Sequence, residues 1–370
     1  LLQPLNHLSE VMRVRNQYSN YNVLIAKSKE MINQLNLEQN SIYQKVMAHV
    51  YNNISLIIFI NGHAGRDKTF LVNVICIVIR SLKKIALSCA TTGLAALNYD
   101  GGHTVHSLFH ILVEHNNDGY KYQINLNSER TKLIQESTII TWDELPMVHK
   151  GNIESVDILL CELCNYNAPF SRKIFIGIGD FCQVAPVIPN ARRIATILES
   201  IKLSTIWNLF ETYNLQQPVR DASDPEFSKF MDDVGDGING EDISLSLLNS
   251  TNDLNKAINF IFPINILNNP IFIVSIADDE TNQNSHENQN IQRNMITTEL
   301  LNSFNSSGIP THHLKLKHGC IATIMRNLSL YDSLCKNTKV VILNIGQQLV
   351  TVQNTKTNSL IYLPRITFLF

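Results

Sequence analysis

The chain has 370 residues, of which 44% are hydrophobic, 17% charged and 8% aromatic, and its 30 Lys+Arg against 32 Asp+Glu leave a formal net charge of -2. At roughly 100–200 residues per domain this length argues for two domains, and the apolar content excludes disorder as the overall state. A near-neutral balance means that any nucleic-acid partner is met by a local groove, because there is no global positive field to attract phosphate. The longest apolar runs, such as Ser55–Ile60 and Val74–Ile79, fall far short of the about 20 residues that a membrane-spanning helix needs. No signal peptide is legible near the start, where Arg13, Arg15, Lys27 and Lys29 are scattered among Asn, Gln and Ser. Seven cysteines is an odd count that fits reduced thiols rather than a disulfide framework, so we expect an intracellular protein with no membrane partner. The chain opens on Leu1 and closes on the apolar run Ile366–Phe370, from which we expect a piece of a longer protein.

In chain order, residues 1–34 are polar and weakly helical and are expected to form a leader outside the core. Order begins near Leu35. Short β-branched runs then alternate with helical stretches: strands at Leu56–Asn61, Lys84–Ser88, Thr138–Trp142 and Lys173–Ile178, and helices near 69–82, 92–98 and 151–164. Strands that read as continuous apolar runs belong to a parallel sheet buried on both faces, so residues 35–235 are expected to form an α/β domain. Gly235–Gly240 is a turn-rich break, and 236–300, with its Asn-crowded run Asn282–Asn294, is expected to be a linker and eroded segment. Strand patterns return at Leu314–Lys317, Val340–Leu343, Leu349–Val352 and Leu360–Leu363, so 301–370 is expected to be a small, β-rich, partial second domain. No internal repeat is found.

Three segments carry chemistry. After the first buried strand comes Gly62-His63-Ala64-Gly65-Arg66-Asp67-Lys68-Thr69, leading into a helix. A phosphate cradle needs glycines at tight turns, amides at a helix N-terminus, a lysine for the β/γ-phosphates and a hydroxyl for Mg²⁺. Gly62, Gly65, Lys68 and Thr69 meet those demands, but Asp67 stands where a glycine should precede the lysine. At about 4 Å and an effective dielectric near 20, one carboxylate–phosphate contact costs on the order of 4 kcal/mol. Rotation of Asp67 into solvent, or pairing with Lys68 or Arg66, is the alternative. The second segment, Ser137–Glu144, is a buried strand ending in Asp143 and Glu144, which suits Mg²⁺ held through water and a positioned attacking water. The third, Gly179-Asp180-Phe181-Cys182-Gln183, sets a glutamine after another buried strand. Singly, each is equally an ordinary turn or solvated loop. Together they end at the carboxyl edge of one sheet, where open α/β sheets bind ligands.

These residues resemble the ATP-dependent DNA helicases of the PIF (petite integration frequency) type in superfamily 1, including the helicase part of Helitron transposons. The resemblance rests on Leu35–Gln39, the phosphate loop, Ala90–Ala96, Gly102–Ser107, Trp142–Met147, Gly179–Gln183, Leu215–Arg220, Ser303–Pro310, Leu314–Cys320 and Met325–Leu328. It implies a RecA-like P-loop NTPase fold with a partial second motor domain, ATP and Mg²⁺ as cofactors, and 5′-to-3′ movement on single-stranded or forked DNA. It implies a nuclear protein first and a mitochondrial one second. By the same resemblance Gln39 reads adenine, and Gly62, His63, Ala64, Gly65, Arg66, Asp67, Lys68 and Thr69 form the nucleotide loop. Thr69 and Asp143 hold Mg²⁺, Glu144 activates water, Gln183 senses the γ-phosphate and Arg220 neutralises transition-state charge. Thr92, Gly93, Thr104, His106 and Ser107 contact the DNA strand. The bland alternatives are a surface Gln39 at a helix start, Arg220 as a rim charge beside Asp221, and a satisfied buried His106.

The chain departs from the pattern at Asp67, at Pro218 near Arg220, in the short Asn-rich stretch around 264–300, and in lacking late motifs with a second arginine and a Ser-Gln-Gly segment. A helicase remnant that binds nucleic acid without turnover is therefore the second functional expectation. Two further clusters are weaker. Cys161 and Cys164 have half-zinc-site spacing but are expected to pack on a helix. His312, His313, His318 and Cys320 lie in a run whose Lys315, Lys317, Arg326, Lys336 and Lys339 outnumber Asp332, which makes either a phosphate-contacting patch or a solvated face.

Overall fold

The computed structural model describes residues 9–111, 122–183, 185, 186, 188, 193–220, 222–237, 251–261, 271–275, 313–325, 327–329, 332–346 and 349–364. Two compact units divide the chain, Leu1–Leu247 and Leu248–Phe370. The first opens with helices α1 (Glu10–Gln17), α2 (Tyr21–Ile32) and α3 (Leu37–Asn52). Six strands follow: β1 (Leu56–Asn61), β2 (Ile85–Ala90), β3 (His103–Thr104), β4 (Ser137–Asp143), β5 (Ile174–Gly179) and β6 (Glu211–Asn214). They form one parallel sheet in the order β3-β2-β4-β5-β1-β6. Its helices are α4 (Lys68–Ser81), α5 (Gly93–Ala96), α6 (Val105–Phe109), α7 (Glu129–Glu136), α8 (Lys150–Cys164), α9 (Arg193–Leu198) and α10 (Pro225–Asp236).

Alternation along β1 explains why both faces are covered. Ile58 and Ile60 join a core with Leu71, Ile75 and Ile79 of α4 and Val46 and Val50 of α3, while Phe59 points the other way to Trp142, Phe175 and Leu159 of α8. Every residue of β2 and β5 is buried, as apolar runs in a doubly covered parallel sheet require. The expected α/β architecture is present, with the glycine-rich, acidic and glutamine-bearing loops all leaving carboxyl ends of strands.

The leader reading does not describe residues 10–32. Val11 is buried in the core, Leu24, Met31 and Ile32 pack against the α3–α4 side, and Arg80 lies over the Tyr18 ring at 4.2 Å. Ion pairs complete the docking: Arg130 to Glu10 at 2.7 Å and Arg15 to Glu136 at 2.9 Å. Polar composition hid this, because a few apolar contacts and long-range charge pairs carry no periodic signal.

In the second unit, α11 (Leu254–Ile261) precedes β7 (Ile271–Ser275), which pairs antiparallel with β8 (His313–Lys317). A helix and a strand thus occupy part of the stretch expected to be a linker. Strands β9 (Ile321–Thr323), β10 (Lys339–Ile345), β11 (Leu349–Asn354) and β12 (Leu360–Pro364) form an antiparallel sheet, β12-β11-β10-β9, over a small core of Ile324, Leu334, Val340 and Val352. The expected β-rich character holds here. Asp221, Asn282–Asn294, Ser303–Pro310, His312 and Arg326 lie outside the described residues. Among the described residues no helix is long and apolar enough to cross a membrane.

Candidate nucleotide cleft

The loop between β1 and α4 turns on Gly65, whose φ is +79°, and on Asp67, which takes the left-handed conformation (φ 50°, ψ 41°) as N-cap of α4. A glycine would adopt that conformation without cost, and aspartate is among the few other residues that tolerate it. This explains how the loop keeps its path without the expected glycine. The Asp67 side chain makes no capping hydrogen bond, and Asp67 is among the residues that line the cleft.

Lys68 folds back on its own loop, donating to the Gly62 carbonyl and, at 3.0 Å, to the His63 carbonyl. Burial lowers its pKa, opposed by the charges of Asp180 and Asp143. Arg66, 3% exposed, pairs with Asp232 of α10 at 2.5 Å. Opposite stands the end of β4. Asp143 is buried, and its oxygens accept from the Tyr99 hydroxyl at 2.7 Å and the Glu144 amide at 2.8 Å. Glu144 accepts from the Thr92 hydroxyl at 2.6 Å, and its carbonyl accepts from Thr91 at 2.9 Å. Burial raises the pKa of both carboxyls, and for Glu144 the neighbouring Asp143 charge adds to it.

The third wall follows β5. Gly179 is required there because a Cβ would meet Pro146 at 2.2 Å, so the β5 end and the turn after Glu144 interlock. Asp180 accepts from the Cys182 amide at 2.9 Å and from the Gln183 side chain at 3.0 Å. Arg220 reaches the same place because the amides of Val219 and Arg220 both donate to the Gly65 carbonyl, at 3.0 and 3.1 Å. The resulting cleft, about 260 Å³, brings together Ala64–Thr69, Asp143, Glu144, Gln183 and Arg220.

The family model for PIF1-like helicases matches residues 34–242, and that for the Pif1 helicase 2B domain matches 299–345. The chain belongs to the PIF1-like helicase family. It is 27% identical over 202 residues to the ATP-dependent DNA helicase PIF1 of Candida albicans, covering 52% of this chain and 22% of that protein. It is 31% identical over 158 residues to the Pif1 helicase of Campylobacter jejuni, covering 40% of this chain and 32% of the relative. The matched segments thus span less than a third of either relative. Among solved structures it resembles a Pif1 from a study of forked double-stranded DNA unwinding by two coordinating helicases, with TM-score 0.62, 20% identity, and coverage of 89% of this chain and 76% of that one. The Candida albicans Pif1 crystal structure follows with TM-score 0.55, 17% identity, and coverage of 89% and 78%.

Within this PIF1-like fold, several expected residues stand elsewhere or are engaged. Gln39 is buried outside the cleft lining, in a capping box with Asn36: its Oε1 accepts from the Asn36 amide at 3.1 Å and its amide donates back at 2.9 Å. Its neighbour Glu38 holds the amides of Gln216 and Gln217 at 2.9 and 3.1 Å, which steers the segment carrying Arg220. Thr92 and Thr104 are N-caps of α5 and α6, with Thr104 accepting from the Ser107 amide at 3.3 Å. Gly93 is buried, His106 half-buried and Ser107 exposed. Cys161 donates to the Ala168 carbonyl at 3.2 Å, and among the described residues no metal-ligand group includes it or Cys164. Sequence reasoning assigned no role to Tyr99, Thr91, Asp232 or Asp236. Their partners are remote along the chain, 44 residues for Tyr99 and Asp143, so no local motif reveals them.

Proposed function

We propose that the chain is the nucleotide-hydrolysing part of an ATP-dependent DNA helicase that moves 5′-to-3′ on single-stranded or forked DNA. The observation that carries this reading is the convergence of Lys68, Asp143, Glu144, Gln183 and Arg220 on one cleft. The cleft fits a magnesium nucleotide: Thr69 and Asp143 would hold the ion, and the loop amides with Lys68 would hold the phosphates. The ion would polarise the terminal phosphate. Glu144, with its pKa raised by burial, would take a proton from water, while Arg220 would supply positive charge where negative charge develops. Gln183 would respond to the phosphate through its tie to Asp180. Thr92, Thr104, His106 and Ser107 lie beyond β2 and around β3, where hydroxyls and backbone would track a strand's phosphates without reading bases. Related Pif1 structures are bound to single-stranded DNA, which supports the choice of partner.

The test is ATPase activity with and without single-stranded DNA. We expect DNA stimulation, and a loss of about 10²–10³-fold in Lys68→Ala, the size typical of removing one preorganised charge donor. Equal rates in the two proteins overturn the reading.

One observation favours a second reading, a non-hydrolysing DNA-binding protein. Asp67, an acidic residue, stands among those lining the phosphate cradle while Lys68 is bound to loop carbonyls. DNA binding with no nucleotide turnover in the parent would select it.

A further inference from the structure

Behind the phosphate loop, three segments remote in sequence bring imidazole, thiol and carboxylate groups together. His63 comes from the loop itself, Asp180 and Cys182 from the segment after β5, and Asp236 from the last residue of α10. One ligand atom from each of His63, Asp180 and Cys182 lies within 4.8 Å of the others. His63 Nε2 is 3.3 Å from an Asp236 oxygen, and that same oxygen is 3.7 Å from Cys182 Sγ. Metal–ligand bonds of 2.0–2.3 Å in a tetrahedron give ligand–ligand edges of about 3.3–3.8 Å. On the other side of the ring, His63 Nδ1 faces an Asp180 oxygen at 3.5 Å. Asp180 is itself fixed by the Cys182 amide and the Gln183 side chain. A carboxylate on the far nitrogen of an imidazole, as Asp236 stands on Nε2, is the arrangement that orients metal-bound histidines.

Electrostatics point the same way. Asp232, Asp233 and Asp236 crowd the C-terminal end of α10, which has no basic residue in its last turn. A helix C-terminus already carries partial negative charge, so these acids call for cations. Arg66 supplies one at Asp232.

We propose that His63 Nδ1, Cys182 Sγ and a carboxylate oxygen of Asp180 form a three-ligand site for a borderline-soft divalent cation of the zinc class, with Asp236 orienting the imidazole from Nε2. Thiolate and imidazole select zinc or cobalt(II) over magnesium, so this site is chemically separate from the one at Thr69 and Asp143. Three protein ligands leave a fourth position for water. Access is open, since His63, Cys182 and Asp236 all reach solvent. A bound ion would fasten the phosphate loop to the segment after β5 and, through Asp236, to α10, independently of whether the cleft hydrolyses ATP.

Cobalt(II), added to the whole chain after chelator treatment and with no nucleotide present, tests the site directly. We expect one equivalent to bind with an intense near-ultraviolet thiolate-to-cobalt band, which zinc bleaches. Cys182→Ser should abolish the band, and Asp236→Asn should weaken binding about 10–100-fold. In the unmutated chain, saturating zinc should protect Cys182, the one exposed cysteine of the seven, from alkylation by iodoacetamide as read by peptide mass. The proposal falls if the parent shows no band, if the band survives in Cys182→Ser, or if zinc leaves alkylation of Cys182 unchanged. None of these readouts depends on ATPase activity.

Discussion

The two walls of the cleft are held in different ways. On the β4 side, Asp143 and Glu144 are fixed from within: Tyr99, Thr91 and Thr92 donate to them, and Trp142, fully buried, donates to Thr91 at 3.1 Å. On the phosphate-loop side the chain takes a left-handed turn at Asp67, and its Arg66 and His63 are met from outside by carboxylates of α10. The acidic wall is therefore part of the core, and changes to it cost fold stability. The loop wall is held by charge pairs with α10, and changes at its Asp67 alter ligand affinity.

The sharpest way to break this comparison is at Tyr99. Tyr99→Phe removes a donor to a buried carboxylate and should cost about 1.5–3 kcal/mol of stability, measured by urea unfolding followed by tryptophan fluorescence. Both tryptophans, Trp142 and Trp207, lie in the first unit, so the signal reports that unit. An unchanged midpoint would show that the acidic wall is not supported through this bond. Next comes Asp67→Gly, which removes the carboxylate from the cradle and relieves the left-handed turn. ATP should bind about tenfold more tightly, about 1.4 kcal/mol, by fluorescent-nucleotide titration. Equal affinities would mean that the Asp67 charge is turned away from the phosphates.

The smallest effect concerns pH. Burial raises the folded-state pKa of Asp143 above its ordinary value, so its contribution to stability is present below the ordinary carboxylate range and lost as pH rises through the raised value. Asp143→Asn cannot ionise, and its melting temperature relative to the parent should rise from acid toward neutral pH. A difference that stays constant with pH contradicts the buried-carboxylate account.

Much of the sheet was legible because buried parallel strands are written as continuous apolar runs, as in Leu56–Asn61 and Ile174–Gly179. β6 was not, because Glu211-Thr-Tyr-Asn is a short, largely exposed edge strand recognised only by its pairing with β1. The nucleotide loop was legible because its donors are contiguous. The supports of the acidic wall were not, since Tyr99 reaches Asp143 through the fold alone. Thr92 shows what motif reading leaves out: its hydroxyl caps α5 and donates to Glu144, a tie across 52 residues that no local pattern carries. Gln39 shows a similar split, with a helix-start position visible in the sequence and a buried capping role that is not.

The paired amides of Val219 and Arg220 on the Gly65 carbonyl bear on which length changes the chain can absorb. That carbonyl works as a mooring, and Arg220 reaches the cleft from the mooring rather than from β6. Added residues between Arg220 and Asp224, where α10 is capped, leave the arginine where it is. Residues added between Asn214 and Val219 must loop outward or carry it away, so insertions on that side of the carbonyl should cost nucleotide binding while those on the other side should not.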